Sequence, residues 1–306
     1  MQIAATGIRF MSSNAQSNSA MGIVAYLIIA FGIAWISWAF VPHASDAHPT
    51  LIAQYVFVLP GAFAPAFATF VVRKWITREG FGDAGLGLHL RKWRYYLIAW
   101  LLPLPVLAFI VVAAIALGVS YPDFSMTQSL AHLAPHAKIP AMFVGKLGYV
   151  IPVQLLFSAL LATPILFGEE FGWRGYLQLR LFPRSPTLAA VSTGIIWGLW
   201  HLPIILGGYE FGGDPVVATA AFCFTTVLIS IIFGWLREKS GSIWVTSLAH
   251  SATNTIGGSL SVLWFADHSK SLIVTYGGIL SWVPLGLLCV WIIAQRASAV
   301  PVEQPA

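Results

Sequence analysis

Long apolar runs separated by short polar stretches dominate this chain. The first run, Met21 to Phe40, is about 20 residues long, the length that crosses the hydrocarbon of a bilayer as a helix. A signal-peptide core is only about 7–15 residues, so this run reads as a retained first span. Further runs follow at about Leu51–Val72, Tyr95–Leu117, Tyr149 toward Glu170, Leu188–Leu206, Val216–Leu236, Ile243–Phe265 and Leu272–Ala294. The pattern predicts an all-α, polytopic membrane bundle of about eight transmembrane helices.

Residues 1–20 are small and polar and are expected to be a disordered tail, with Met1, Met11 and Met21 each a candidate start. Residues 21–295 form one expected transmembrane domain with its core at about 151–265, and 296–306 a second disordered tail. Two segments depart from simple spans. Residues 118–148 are long and mixed, with room for an interfacial helix. Residues 171–186 mix Trp173, Tyr176, Leu177 and Phe182 with Arg174, Arg180 and Arg184. They form either a surface helix or a continuation of the fourth span. No internal repeat is present, which argues against an inverted-repeat transporter.

Composition supports the membrane reading. The 306 residues are 58% hydrophobic and only 9% charged, against roughly 25% charged in a soluble domain. Net charge is +5, but no basic stripe interleaved with aromatics exists to bind nucleic acid. With the N-terminus inside, the eight spans place 13 of the 16 basic residues in inner loops. That asymmetry puts both termini in the cytoplasm, in a plasma (inner) membrane, with lipid as a partner. Cys223 and Cys289 fall in apolar runs and read as core residues rather than a disulfide framework.

Three polar pieces interrupt the apolar background. Glu169 and Glu170 sit at the end of the fourth run, with Arg174 four residues after Glu170, on the same helical face. A buried ion pair accounts for Glu170 and Arg174. It leaves out Glu169, which points about 100° away. Adjacent carboxylates raise one another's pKa, which suits a general acid or base. The second piece holds Trp197 and His201, the third His250 and Asn254. Taken singly, His201 reads as a packing residue and His250 with Asn254 as polar glue between helices. Together they are two histidines, an asparagine and a glutamate pair drawn from three spans. They could meet in one cavity as a hydrolytic centre or a proton pathway.

Glu169-Glu170-Phe-Gly-Trp-Arg174, Trp197-Gly-Leu-Trp-His201 and His250-Ser-Ala-Thr-Asn254, in that order, resemble the EExxxR, (F/W)xxxH and HxxxN motifs of the CPBP family. That family comprises the CAAX-type prenyl endopeptidases and the bacterial Abi proteins. The resemblance covers about Ile151 to Phe265, with a family-like stretch also at Leu86 to Leu97. It implies an intramembrane endopeptidase acting on a membrane-proximal peptide: a CAAX-like prenylated tail or a small peptide such as a bacteriocin leader. By resemblance Glu169 and His201 activate water. His250 and Asn254 stabilise the oxyanion, and Glu170, Arg174 and Trp197 support the site. Glu169, His201 and His250 could together hold one zinc ion, although no HExxH is present, and a metal-free water mechanism is the preferred expectation. The alternative function is a non-catalytic immunity or scaffold protein that keeps the polar cluster for structure.

Straight helices create one conflict. Glu169 would lie near the inner end of the fourth span and His201 near the outer end of the fifth, roughly 20 Å apart in depth. The expected resolution is a long fourth helix, about Val153–Leu181, bent at Pro164.

Overall fold

The computed structural model describes residues 13–41, 51–129, 145–266 and 271–298. Among them every regular element is a helix. We number the α-helices α1 Ser13–Trp38, α2 Leu51–Val71, α3 Trp93–Leu101, α4 Pro103–Ala116, α5 Leu147–Gly172, α6 Gln178–Arg180, α7 Pro186–Trp200, α8 Leu202–Leu206, α9 Pro215–Ser240, α10 Ile243–Ala252, α11 Ser259–Trp264 and α12 Ile279–Ser298. Three π-helical segments continue α2 (Val72–Ile76), join α5 to α6 (Trp173–Leu177) and join α10 to α11 (Thr253–Gly258).

Five helical stretches are long and apolar enough to cross a membrane: Ser19–Trp38, Leu90–Ala116, Leu147–Arg180, Pro215–Ser240 and Ile279–Ser298. Large apolar side chains point outward along them, such as Leu161, 81% exposed, and Leu287, 67% exposed. In water such a surface would be costly; in lipid it is the required one. The protein is an all-α polytopic membrane bundle. The other three expected spans fall on α2, on α7 with α8, and on α10 with α11.

Several expected boundaries move. The α1 helix begins at Ser13, inside the segment expected as a tail; residues 1–12 and 299–306 lie outside the described residues, as do 130–144 within the expected segment 118–148. The last helix starts at Ile279 rather than Leu272, because Leu272 to Gly278 fold back in turns that include Gly277 at φ 90°. Residues 173–177 are all buried, so this stretch is a continuation of the fourth helix and not a surface helix.

The fourth helical stretch runs unbroken for 34 residues, Leu147–Arg180. The α7 helix has only 15 residues, with Ser185 Oγ capping its N-terminus and His201 at its end. These two lengths remove the depth conflict. Counted from the shared end of the bundle at about 1.5 Å per residue, Glu169 stands about 16 Å in, His201 about 22 Å and His250 about 12 Å. His201 lies at mid-depth because its helix is short, not at the far end of a full-length span.

Close helix contacts fix these levels. A Cβ on Gly194 would lie 2.5 Å from Val227 Cα, so α7 and α9 cross with their backbones nearly touching. A Cβ on Gly172 would lie 2.2 Å from Pro65 Cβ, which seats α5 on α2. Small residues at crossings are the usual means of helix association in lipid. Trp35 donates to Trp200 O at 3.0 Å and Trp200 donates to Ala30 O at 3.2 Å, stitching α1 to the end of α7.

One end of the bundle carries a charged latch. Arg73, fully buried, donates to Asp83 at 2.7 Å and to Gly175 O at 2.9 Å. Arg180 pairs with Glu79 at 2.7 Å, and Arg237 donates to Asp83 O at 2.7 Å. The loop after α2 is thereby tied to the π segment that follows the glutamates. Burial raises the Asp83 carboxyl, but the hydrogen bond and charge of Arg73, with the charge of Arg180, outweigh it and hold the pKa below its ordinary value.

Two outcomes follow. Gly194→Ala should lower stability by about 1–3 kcal/mol through overpacking against Val227, read as a fall in unfolding temperature in detergent. The lowered Asp83 pKa makes its contribution complete above about pH 4 and lost as pH falls through the folded-state value. Asp83 is half exposed, so this amounts to at most about 1 kcal/mol. Between pH 6 and 3, wild type should therefore lose slightly more stability than Asp83→Asn.

Candidate active site

Glu169 and Glu170 occupy the last turn of α5, immediately before the chain relaxes into the π segment that holds Arg174. Such π segments recur at functional sites because they re-aim side chains within an otherwise regular helix. Both carboxylates are buried, and they are wired differently.

Glu170 is the hub. Its Oε1 accepts from Arg174 Nη1 at 2.8 Å and from His250 Nδ1 at 3.1 Å, and all three side chains are buried. The Arg174 guanidinium lies over the Trp197 ring at 4.6 Å and the Phe233 ring at 5.1 Å, so cation–π contacts replace part of its lost hydration. A charge this deep is tolerable only when paired and packed in this way.

Glu169 is 6% exposed and its Oε2 accepts from Trp197 Nε1 at 2.8 Å. Its Oε1 makes no hydrogen bond among the described residues. Trp197, expected from sequence as a supporting residue, thus fixes one oxygen of Glu169 and leaves the other to face the cavity.

His201 has its Nδ1 2.8 Å from Trp197 O. A carbonyl can only accept, so Nδ1 carries the proton and Nε2 is left open. The imidazole is held among aromatic rings, with Trp200 and Phe222 each 4.8 Å away centre to centre. His250 has its Nδ1 committed to Glu170, which leaves its Nε2 open as well. Asn254 lies in the third π segment, Thr253–Gly258, one helical turn after His250, and is exposed. Ser251 Oγ donates to Ala159 O at 2.7 Å, fastening α10 to α5 and fixing where His250 and Asn254 point.

Glu169, Trp197, His201, His250 and Asn254 all line one cavity of about 260 Å³. Glu170 and Arg174 stand behind its wall. The three sequence motifs therefore converge on a single space, with the open nitrogens of two histidines, a half-free carboxylate and an amide around it. Among the described residues no three His, Cys, Asp or Glu side chains form a group spaced to hold one metal ion. Each member of the Glu169, His201 and His250 trio has one polar atom held by the protein, on Trp197 Nε1, the Trp197 carbonyl and Glu170 respectively.

The cavity also has walls that the motifs did not announce. Glu210 and Phe211 come from the loop between α8 and α9, and Tyr276 from the turns before α12. Glu210 stands in an expected outer loop with no helical spacing to any motif, so only its flanking glycines hint that the chain turns there.

The fold and this site define a class: a helical integral membrane protein with a buried polar centre suited to hydrolysis. Comparison with known proteins narrows it. Residues 150–256 match the family model described as Type II CAAX prenyl endopeptidase Rce1-like. Over this span the chain is similar to that family of CAAX endopeptidases, in agreement with the resemblance of its three motifs. The chain is also 25% identical over 224 residues to CAAX prenyl protease 2 of Methanococcus maripaludis, covering 70% of this chain and 76% of that protein.

The two glutamates should respond differently to substitution. Glu170→Gln strands Arg174 in the core and should cost about 3–5 kcal/mol of stability. Glu169→Gln keeps an oxygen to accept from Trp197 and should leave the unfolding temperature nearly unchanged. Thermal unfolding of both variants in detergent measures the contrast.

Proposed function

We propose that this protein is an intramembrane endopeptidase that hydrolyses a peptide bond in a membrane-proximal substrate, either a CAAX-like prenylated tail or a small peptide. One observation carries the reading: Glu169, with one free oxygen, shares a single cavity with His201, His250 and Asn254, and each histidine has its Nε2 open. The prenyl substrate is named for the Methanococcus relative.

The chemistry follows from which atoms are free. Glu169 Oε1, with His201 Nε2, takes a proton from a water molecule. The hydroxide oxygen adds to the substrate carbonyl carbon, and negative charge develops on the carbonyl oxygen. His250, anchored on Glu170 through Nδ1, donates from Nε2 when protonated, and the Asn254 amide donates beside it. Collapse of the tetrahedral intermediate breaks the C–N bond. The proton held by Glu169 passes to the leaving amine. No step is routed through a metal ion.

The charged end of the bundle, with Arg73, Arg180, Arg237 and Arg296, faces the cytoplasm by the positive-inside rule. That orientation puts the C-terminus in the cytoplasm. Single-cysteine labelling of whole cells on either face tests it.

Purified protein should cleave a farnesylated CAAX-type peptide or a leader-type peptide, and Glu169→Gln should reduce turnover by at least about 10²-fold. Equal turnover by wild type and Glu169→Gln would remove the assignment and favour a non-catalytic scaffold. Metal content is measured on the same active preparation, and stoichiometric zinc that tracks activity would replace the metal-free route.

A further inference from the structure

Glu210 lies in the sequence Gly207-Gly-Tyr-Glu-Phe-Gly-Gly213. Glycines give the loop its shape, with Gly208 at φ 77° and Gly213 at φ 97°. The loop is nonetheless fastened on both sides of Glu210, before it by Tyr209 N, which donates to Ile204 O at 3.1 Å, and after it by Phe211 and Asp214. Phe211 is 5% exposed and packs with Ile205, Ala218 and Ala221. Asp214 accepts from Val216 N at 2.8 Å and Val217 N at 3.1 Å, capping α9. Glu210 is therefore held where it is by its neighbours and not by any bond of its own.

It lines the same cavity as Glu169. Among the described residues it makes no hydrogen bond and no ion pair, and Glu169 Oε1 likewise has none. The cavity lining contains no lysine or arginine; Arg174 is sealed behind Trp197. Two carboxylates thus line one cavity that holds no lysine or arginine to offset them. Burial first, and repulsion from Glu169 second, push the Glu210 carboxyl up to about 7. An arrangement of this kind is relieved when a cation enters.

We propose that Glu210 is a specificity residue of the cavity, pairing with a lysine or arginine side chain of the substrate peptide close to the bond that is cut. This rests on the endopeptidase reading above. A cationic residue placed there neutralises the spare negative charge of the cavity, whereas an acidic one adds a third carboxylate and is rejected. Discrimination comes as much from that repulsion as from the attraction.

The test is a peptide series carrying lysine, norleucine or glutamate at each position within three residues of the scissile bond, assayed with wild type, E210Q and E210K. Ratios are taken within each variant, so a general loss of turnover does not enter. At one position wild type should prefer lysine over norleucine by about tenfold in kcat/KM, a factor typical of one ion pair in a protected site. E210Q should erase the preference and E210K should reverse it toward glutamate. A second measurement needs no turnover: binding of the preferred lysine peptide to E169Q against the E169Q/E210Q double variant, with the unfolding temperature of each confirming the fold. The double variant should bind the lysine peptide about tenfold more weakly and the norleucine peptide no more weakly. Equal use of the three residues at every position by wild type, or a lysine preference that survives in E210Q, overturns the proposal. If wild type cleaves no peptide, the endopeptidase reading fails, while the binding comparison still decides the role of Glu210.

Discussion

The buried Glu170 carboxylate is the interaction on which the rest of this structure depends. One oxygen receives both the Arg174 guanidinium and the His250 ring nitrogen. Three elements are locked by it: α5, the π segment that follows, and α10. In the interior of a membrane protein such a hub has no substitute from solvent, because Glu170 and Arg174 are both fully buried. The aromatic faces of Trp197 and Phe233 over Arg174 complete the enclosure. The same bond that stabilises Arg174 sets the orientation of His250, so folding and site geometry are one problem here.

The neighbouring carboxylate is left available by contrast. Glu169 gives one oxygen to Trp197 and turns the other to the cavity. Two adjacent glutamates differ in role because the helix points them in different directions. Trp197 serves both: its N–H holds Glu169, its carbonyl holds His201, and its ring covers Arg174. A tryptophan is suited to that position because it offers a large apolar face and a single donor.

The bundle divides its work between its two ends. The end with Arg73, Asp83, Arg180 and Arg237 is tied by ion pairs and backbone acceptors and contains no part of the cavity. The opposite end contributes turns and loops, and from these come Glu210, Phe211 and Tyr276. Fixed helices place Glu169, His201 and His250, and loops and turns supply the remaining wall of the cavity. Each of the three π segments carries a polar residue of consequence: Arg73, Arg174 or Asn254.

The sequence by itself determined the class of fold, since runs of about 20 apolar residues have few options but to be helices in lipid. It also singled out the polar side chains that the structure gathers at one cavity and its wall, because Glu169, Glu170, Arg174, Trp197, His201, His250 and Asn254 stand out against an apolar background and match an ordered motif set. Tertiary structure alone decided how they meet. Depth depends on helix length and on where a helix breaks, and neither the 15-residue α7 nor the 34-residue stretch through Arg180 follows from hydropathy. Which glutamate pairs with His250 depends on the rotation of two helices about their axes, fixed for α5 by the contact of Gly172 with α2 and for α10 by the bond from Ser251 to Ala159 O. Glu210 was invisible for the same reason. A loop residue has no periodicity to reveal which way it faces, and only the packing of Phe211 beneath it turns its carboxylate into the cavity.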